Sequence, residues 1–243
     1  MKQYGLIGYP LGHSFSRKYF SDKFAAENIK DVSYNLFPLE SITMLPGLLK
    51  DHPAIMGLNV TIPYKKDVLP YLTNTIHLEG LDACNCIRIK GDDLIGYNTD
   101  VTGFSESIRP LLQVQHTHAL ILGNGGATAA VRFALDRLGL KYAVVSRTKS
   151  IGVDFLYEEL DVQIMSDYTV IINTTPLGTS PEIQLSAPIP YRFINQKHLL
   201  YDLVYNPSVT SFMRKGLERG AVVKNGYDML VIQAEESWKI WSK

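Results

Sequence analysis

The sequence predicts a two-domain α/β protein with mostly parallel β-structure. The chain has 243 residues, which suits one to two domains at roughly 150 residues each. Hydrophobic residues make up 46% and charged residues 20% of the chain, a globular composition that excludes a disordered protein. Short β-rich runs alternate with helical stretches almost throughout, which is typical of layered α/β folds.

The first hundred residues carry the elements of the first predicted domain. A short apolar strand over residues 4–8 is followed by a helix over about 17–28, in which Phe20 and Phe24 lie one turn apart. A turn at Gly91, with two aspartates after it, indicates a β-hairpin. The further predicted strands are residues 34–37, 55–61, 85–89 and 94–97.

After Asp100 the pattern changes to that of a βαβ unit. It is preceded by a helix over about 101–112 and is extended by two more strands and a final apolar-striped helix. We place a domain boundary near residue 101 and expect the final helix to pack on the first domain. The resulting domains are residues 1–100 with 227–243, and residues 101–226. The elements of the unit and its extension are strands 118–123, 142–145, 170–172 and 199–201, and helices 127–138 and 227–243.

Charge and cysteine content exclude several classes of protein. Lys and Arg number 24, as do Asp and Glu, so the net charge is zero and no basic footprint for nucleic acid is indicated. The sequence has neither the apolar core of a signal peptide nor the roughly 18 apolar residues of a membrane helix. Cys84 and Cys86 are too few for a disulfide scaffold and lack zinc spacing. We therefore expect a cytoplasmic protein with no nucleic-acid partner, no membrane partner and no metal.

A glycine-rich loop follows the first strand of the second domain and opens a helix. Such glycines allow backbone N–H groups to approach a pyrophosphate, and the helix N-terminus adds partial positive charge. Thr128 stands where the usual fingerprint has its third glycine, so the loop is a variant, and a plain strand-to-helix turn is the alternative. The strand context favours a Rossmann-like dinucleotide-binding domain. The loop residues are Gly123, Asn124, Gly125, Gly126 and Ala127.

The next strand ends in Ser146, Arg147 and Thr148. Proteins that bind NAD place an acidic residue here for the ribose 2′-hydroxyl, and this chain has none. The planar guanidinium of Arg147 suits a 2′-phosphate. Solvated surface charges at Arg147 and Lys149 are the alternative. The sequence predicts NADP(H) as the cofactor.

Lys65 and Asp100 are candidates for proton transfer. Lys65 and Lys66 follow a strand, and Pro63 suits the first turn of a predicted helix. In the first turn of a helix, each of these lysines interacts unfavourably with the helix dipole, at a cost of about 0.3–1 kcal/mol. Residues that are kept at a locally unfavourable position indicate function. Asp100 either caps the next helix or holds an ammonium group. The alternatives, that Lys65 is an ordinary surface lysine and that Asp100 is a helix cap, stay open.

Several motifs, in order along nearly the whole chain, resemble those of the shikimate dehydrogenase family. The resemblance implies reversible reduction of 3-dehydroshikimate to shikimate by NADPH, on the pathway to chorismate and aromatic amino acids. It also implies a monomer or homodimer that binds a small-molecule substrate. The motifs are Gly8-Tyr9-Pro10-Leu11-Gly12-His13-Ser14-Phe15-Ser16, residues 59–65, Asn98-Thr99-Asp100, the glycine loop, residues 146–148, Asn173-Thr174-Thr175-Pro176-Leu177-Gly178, Tyr205-Asn206-Pro207 and residues 226–233.

The resemblance implies roles for individual residues. Lys65 and Asp100 are the implied catalytic pair beside the reacting carbonyl. The implied contacts of the substrate carboxylate are Ser14, Ser16 and Tyr205, and those of its ring hydroxyls are Thr61, Asn85 and Gln233. Besides the glycine loop and residues 146–148, the implied cofactor contacts are Asn173, Thr174, Val204 and Gly226.

Other functions on this fold stay open. They are a quinate/shikimate dehydrogenase of broader specificity or one using NAD, a non-catalytic NADP-binding sensor, and a folate-linked dehydrogenase. Arg147 argues against NAD, and the Lys65–Asp100 pair argues against a sensor, which needs no proton transfer. The serine pair argues against a folate enzyme, but nothing separates quinate from shikimate. The chain also departs from the family pattern, because only 25 residues separate Arg147 from Asn173, which predicts a reduced strand or helix.

Overall fold

A computed structural model describes residues 1–12, 14–78 and 80–243 of the chain. His13, which belongs to the first motif above, and Glu79 lie outside the described residues. The chain divides into two compact units: unit 1 is Met1–Thr102 with Val231–Lys243, and unit 2 is Gly103–Leu230. In the described part of the chain, no helix has the length and apolarity needed to cross a membrane.

Unit 1 is built on a mixed sheet of five strands among its described residues. The strand order is β2-β1-β3-β4-β5, in which β1, β2 and β3 are parallel and β4 is antiparallel to both of its neighbours, β3 and β5. All five predicted strands are confirmed, with ends shifted by one or two residues. The strands are β1 (Lys2–Gly8), β2 (Val32–Pro38), β3 (Ile55–Val60), β4 (Cys86–Lys90) and β5 (Asp93–Tyr97), and the helices are α1 (Phe15–Ala26), α2 (Leu45–Asp51) and the start of α3 (Thr99–Ile108), which continues into unit 2 from Gly103.

Helix α1 begins two residues earlier than predicted because Ser14 caps it. The Ser14 hydroxyl accepts the backbone N–H of Arg17 at 3.4 Å, which satisfies one N–H group that the first turn leaves unpaired. Phe20 and Phe24 are buried, as their spacing predicts. Ser14 and Ser16 therefore stand at the N-terminal end of α1, the first helix after β1.

The segment after β3 is a series of turns and not the predicted helix. The carbonyl of Lys65 accepts the N–H of Cys84 at 2.8 Å, while the N–H of Leu69 donates to Lys66. Because a distant segment takes the Lys65 carbonyl, the i to i+4 ladder of an α-helix does not form. The helix-dipole argument for Lys65 is therefore wrong, and its function has to be judged from its contacts.

Unit 2, all of whose residues are described, holds a parallel six-stranded sheet in the order β11-β10-β9-β6-β7-β8. The chain leaves β6 toward one edge and later adds β9 on the other side of β6. That reversal is the switch point at which doubly wound sheets bind ligands, and it confirms the Rossmann-like prediction. The elements are β6 (His118–Leu122), β7 (Lys141–Ser146), β8 (Phe155–Leu156), β9 (Val170–Asn173), β10 (Leu199–Asp202), β11 (Val222–Lys224), α4 (Thr128–Leu138), α5 (Val162–Asp167) and α6 (Ser211–Leu217).

The segment between β7 and β9 is short. It holds only a two-residue strand, β8, a 3-10 turn and the six-residue helix α5. The central strands β6 and β9 are almost fully buried, which agrees with their unbroken apolar sequences. The reduction therefore affects the edge of the sheet and leaves its centre intact.

The last helix, α7 (Tyr227–Trp241), contributes its residues from Val231 onward to unit 1. Trp241 stacks on Tyr4 with ring centroids 5.1 Å apart, and its indole N–H donates to the carbonyl of Ile87 at 2.9 Å. A Cβ at Gly57 would overlap the Trp241 ring, so this strand position needs glycine. The aromatic packing fixes the helix against the sheet of unit 1.

Candidate functional site

Lys65 and Asp100 form an ion pair in unit 1. The Lys65 Nζ lies 2.6 Å from Asp100 Oδ2, and the two side chains are 20% and 14% exposed. Asp100 sits in the first turn of α3, where the helix dipole favours a carboxylate. The helix cap is Asn98, whose Oδ1 accepts the N–H of Val101 at 3.3 Å, so the cap alternative for Asp100 is wrong. The pair presents a fixed, partly exposed ammonium group.

A buried hydrogen-bond network begins one residue from Asp100. The side-chain oxygen of Asn85 accepts the N–H of Thr99 at 2.6 Å, and its Nδ2 donates to the Thr99 hydroxyl at 3.1 Å. The Thr99 hydroxyl lies 3.4 Å from Gln233 Oε1. All three side chains are buried. Two predicted substrate residues, Asn85 and Gln233, are therefore held beside the ion pair.

The network continues through Ser237 and Asn59 to α1. Ser237 Oγ lies 3.2 Å from the Thr99 hydroxyl and accepts from Asn59 Nδ2 at 3.0 Å. The Tyr34 hydroxyl donates to Asn59 Oδ1 at 2.8 Å. Burial raises the pKa of Tyr34, and its hydrogen bond with Ser16 partly offsets this. Predicted substrate residues from α1, the strand region and α7 thus share one network.

Sequence reasoning gave no role to four members of this network: Tyr34, Asn59, Thr99 and Ser237. Two of them carried a usable signal. Thr99 directly precedes the candidate Asp100, and Ser237 lies four residues after Gln233, on the same face of α7. Tyr34 reads as an ordinary strand residue, because its partner Asn59 is 25 residues away in the sequence.

Ser14 and Thr61 lie at the carboxyl ends of β1 and β3. The Ser14 oxygen accepts the α1 cap bond, which leaves its hydroxyl hydrogen to donate elsewhere. The N–H of Thr61 donates to Ile7 at 3.0 Å. A Cβ at Gly8 would lie 2.5 Å from Thr61 Cγ2, so glycine there permits the approach of the two chain segments.

We expect Ser237→Ala to lower the free energy of unfolding by about 1–3 kcal/mol, because a buried hydrogen of Asn59 Nδ2 loses its acceptor. Ser242→Ala is the matched control. Both hydroxyls donate to the carbonyl four residues earlier in α7, at 2.9 and 2.7 Å, but Ser242 is exposed. Urea unfolding of both variants measures the difference. Equal, small losses would contradict a buried network at Ser237.

The glycine loop of unit 2 has the geometry of a phosphate cradle. Gly123 has a φ of +107°, and a Cβ there would lie 2.9 Å from Thr175 Cγ2. Gly125 and Gly126 face open space, with nothing within 4 Å of an added Cβ. No side chain caps α4 at Ala127. The N–H of Thr128 donates to the carbonyl of Gly125 at 3.1 Å, which leaves the next N–H groups of the first turn for a ligand. These residues fit a dinucleotide pyrophosphate.

Thr128 explains how the loop functions without its third glycine. Its side chain is buried, and its hydroxyl donates to Gly123 at 3.1 Å and lies 3.1 Å from Thr174 Oγ1. The Thr174 hydroxyl in turn donates to the carbonyl of Leu122 at 2.8 Å. Hydrogen bonds between the loop, α4 and the end of β9 therefore hold the helix at the strand ends.

Ser146, Arg147 and Thr148 end β7, which pairs with β6, so they lie at the same sheet edge as the glycine loop. Lys149 donates to the carbonyl of Asp154 at 2.7 Å and lies 3.9 Å from Glu159. Arg147 is exposed and takes part in none of the ion pairs of the described chain. Arg147 is therefore the guanidinium available to a 2′-phosphate.

A buried carboxylate, Asp202, holds the ends of β9 and β10 together. It accepts from Asn173 Nδ2 at 2.9 Å, from the Thr210 hydroxyl at 2.5 Å and from the N–H of Val204 at 3.0 Å. Sequence reasoning missed Asp202, although it ends a predicted strand beside the Tyr205 motif. Through it, the predicted cofactor residues Asn173 and Val204 occupy one hydrogen-bonded cluster.

Gly226 belongs to the same cluster. Its N–H donates to the carbonyl of Val204 at 3.2 Å, and a Cβ there would overlap the carbonyl oxygen of Leu203. Only glycine permits this approach of backbone to backbone. Tyr205 follows in the same segment and is half-buried. Its predicted contact with the substrate carboxylate stays a prediction.

The pH dependence of stability tests the Asp202 cluster. Burial raises the pKa of Asp202 to about 6, from 3.8. Between these values the folded protein binds more protons than the unfolded chain, so this group's contribution to stability falls as pH rises and is level above about 6. As pH rises across that window, we expect the free energy of unfolding of Asp202→Asn to increase relative to that of the parent, by up to about 1.4 kcal/mol per pH unit.

Urea unfolding of the parent, Asp202→Asn and the exposed-residue control Asp92→Asn, repeated from acid to neutral pH, provides the measurement. The Asp92 variant should follow the parent at every pH. A constant difference between the Asp202 variant and the parent would contradict the raised pKa.

Comparison with known proteins agrees with the geometry. The family model described as the shikimate dehydrogenase substrate binding domain matches residues 6–87. A shikimate dehydrogenase (NADP(+)) from Caldanaerobacter subterraneus is 33% identical, with 99% of this chain and 91% of that protein covered. One from Clostridium beijerinckii is 36% identical, with 100% and 93% covered.

Solved structures extend the similarity to the fold. A shikimate 5-dehydrogenase from Thermus thermophilus, crystallised in complex with NADP(H) and shikimate, is 27% identical, with a TM-score of 0.87 and 100% and 94% of the two chains covered. The similarity thus extends over both units. With these matches over its whole length, the chain belongs to the shikimate dehydrogenase family.

Proposed function

We propose that the protein catalyses the reversible reduction of 3-dehydroshikimate to shikimate with NADPH, a step toward chorismate and the aromatic amino acids. The observation that carries the proposal is the Lys65–Asp100 ion pair at 2.6 Å, placed beside a buried network of hydroxyl and amide groups. An ammonium group next to fixed polar groups suits a ketone on a hydroxylated ring.

We assign the substrate to unit 1 and the dinucleotide to unit 2. The matched substrate-binding family model spans residues 6–87, within unit 1. The glycine loop, Arg147 and the Asp202 cluster belong to unit 2. The cytoplasmic location and the monomeric or homodimeric state stay predictions.

Lys65 is the proton donor in this proposal. When bound, NADPH supplies the hydride that the carbonyl carbon accepts. Negative charge then grows on the substrate oxygen, where the Lys65 ammonium stabilises it and donates a proton. The carboxylate of Asp100 accepts a hydrogen bond from the Lys65 ammonium and so orients its Nζ. Since a fifth of the Lys65 side chain is exposed, the lysine can regain a proton from water.

Asn85 and Gln233 orient the ring, together with Thr61. Asn85 uses one hydrogen of its Nδ2 and its Oδ1 on Thr99, which leaves a second N–H donor for a ring hydroxyl. Holding these groups in place before binding reduces the ordering that the reaction requires. The hydroxyls of Ser14 and Ser16 are the proposed donors to the substrate carboxylate.

The experiment follows absorbance in the NADPH band with purified protein. NADP⁺ with shikimate should give an increase, whereas NADP⁺ alone should give none and NAD⁺ with shikimate a much slower one. Oxidation of quinate at a similar rate would show the broader specificity. NADPH binding without oxidation of either acid would overturn the proposal in favour of a non-catalytic sensor.

A further inference from the structure

A cavity lies in unit 1, and neither Lys65 nor Asp100 lines it. Its volume is about 570 Å³, and it lies at the start of β1, the turn before β2 and the ends of β4 and α7. The candidate site residues Ser14 and Thr61 follow the opposite, carboxyl ends of the parallel strands. A seven-residue strand such as β1 spans roughly 20 Å. The cavity is therefore separate from the proposed active site.

The lining of this cavity is strongly cationic. It includes five Lys or Arg side chains and one acidic side chain, Asp31, although the whole chain has 24 residues of each sign. In the described part of the chain, none of the five belongs to an ion pair. Such an unbalanced cluster attracts anions. The five are Lys2, Lys30, Arg88, Lys90 and Lys243.

Arg88 and Lys90 place two positive charges on the same face of β4. They lie two residues apart on β4, so their side chains leave the same face of the strand. Arg88 is half-buried and Lys90 is exposed. A planar guanidinium binds two oxygens of a phosphate or carboxylate at once, and a lysine adds a point charge.

The rest of the lining is apolar and aromatic. Both tryptophans of the chain, Trp238 and Trp241, line the cavity, together with Ile29 and Met56. Trp241 is fixed by its stacking on Tyr4. An inorganic ion would leave this surface uncovered, and a neutral hydrocarbon would leave the cations without a partner. The cationic part and the apolar part of the lining therefore favour one ligand that carries both a negative charge and an apolar group.

We propose that this cavity binds a small organic dianion, a phosphate or phosphonate attached to an aromatic or alicyclic ring. The charged group contacts Arg88, Lys90 and the neighbouring lysines, and the ring lies against Trp238. The volume of about 570 Å³ is within the roughly 300–1,000 Å³ of small-molecule sites. A cavity of this volume favours a small ligand over a nucleic acid or a lipid surface.

Tryptophan fluorescence gives a direct readout, because the only two tryptophans of the sequence line the cavity. The probes are phenylphosphonate, inorganic phosphate and benzyl alcohol, titrated with shikimate at saturation and no cofactor, so that the proposed substrate site is filled and no turnover occurs. Phenylphosphonate should change the emission with a Kd about tenfold lower than that of inorganic phosphate or benzyl alcohol. Only phenylphosphonate contacts both the cationic and the apolar parts of the lining. Added salt should weaken its binding.

Charge reversal tests the site. Lys90→Glu and Lys30→Glu should each raise the Kd of phenylphosphonate by about tenfold. Lys50→Glu is the control, because Lys50 is exposed in unit 1 and lies outside the cavity lining. Thermal melts check that the variants fold. The proposal is overturned if no probe changes the emission, if all three variants weaken binding equally, or if RNA or anionic vesicles bind in preference to phenylphosphonate.

Discussion

Lys65→Ala is expected to reduce kcat for shikimate oxidation by about 10²-fold, the loss typical of removing an acid–base group. The KM for shikimate should change much less, because the hydroxyls and amides around the site do most of the binding in the proposed arrangement. The variant should fold normally, since its side chain is partly exposed and its backbone bond to Cys84 does not depend on the side chain.

Lys66→Ala is the matched control for this experiment. Lys66 is the adjacent lysine and is exposed, and the ion pair with Asp100 belongs to Lys65. Steady-state rates of both variants, with circular dichroism spectra to establish folding, provide the comparison. Near-normal turnover in a folded Lys65→Ala protein, or equal losses in the two variants, would remove Lys65 from the reaction.

Arg147→Ala is expected to raise the KM for NADPH by about 10- to 100-fold, which corresponds to the loss of charge-assisted hydrogen bonds to a phosphate. The KM for NADH should stay nearly unchanged, because NADH has no 2′-phosphate. Arg147 is suited to this role because it is exposed at the end of β7, next to the strand that leads into the glycine loop.

The control for cofactor preference is Arg219→Ala, which removes an exposed arginine elsewhere in unit 2. It should leave the KM of both cofactors unchanged. The measurement is the ratio of kcat/KM for NADPH to that for NADH in each variant. If Arg147→Ala lowers both values equally, the residue supports the domain and does not read the phosphate.

Local patterns predicted the secondary structure well where the segment's own sequence decides it. The central strands of unit 2, β6, β9 and β10, are short apolar runs that are almost fully buried, and the glycine loop follows β6 directly. The turns after β3 show the opposite case. Pro63 and the residues after it favour a helix start, but the carbonyl of Lys65 bonds with Cys84, 19 residues later in the chain. A contact at that separation leaves no local signal.

By itself, the sequence determined the α/β class, every strand except β8 and β11, and the glycine loop, whereas the Lys65–Asp100 pair came from the family resemblance. The sequence could do so because helix and strand periods and glycines act over a few residues. Only the tertiary structure decided that Asn98 and not Asp100 caps α3, and that Asn59 shares a hydrogen bond with Ser237 across 178 residues. Burial makes each such polar group find a partner, and the fold alone determines which partner is within reach.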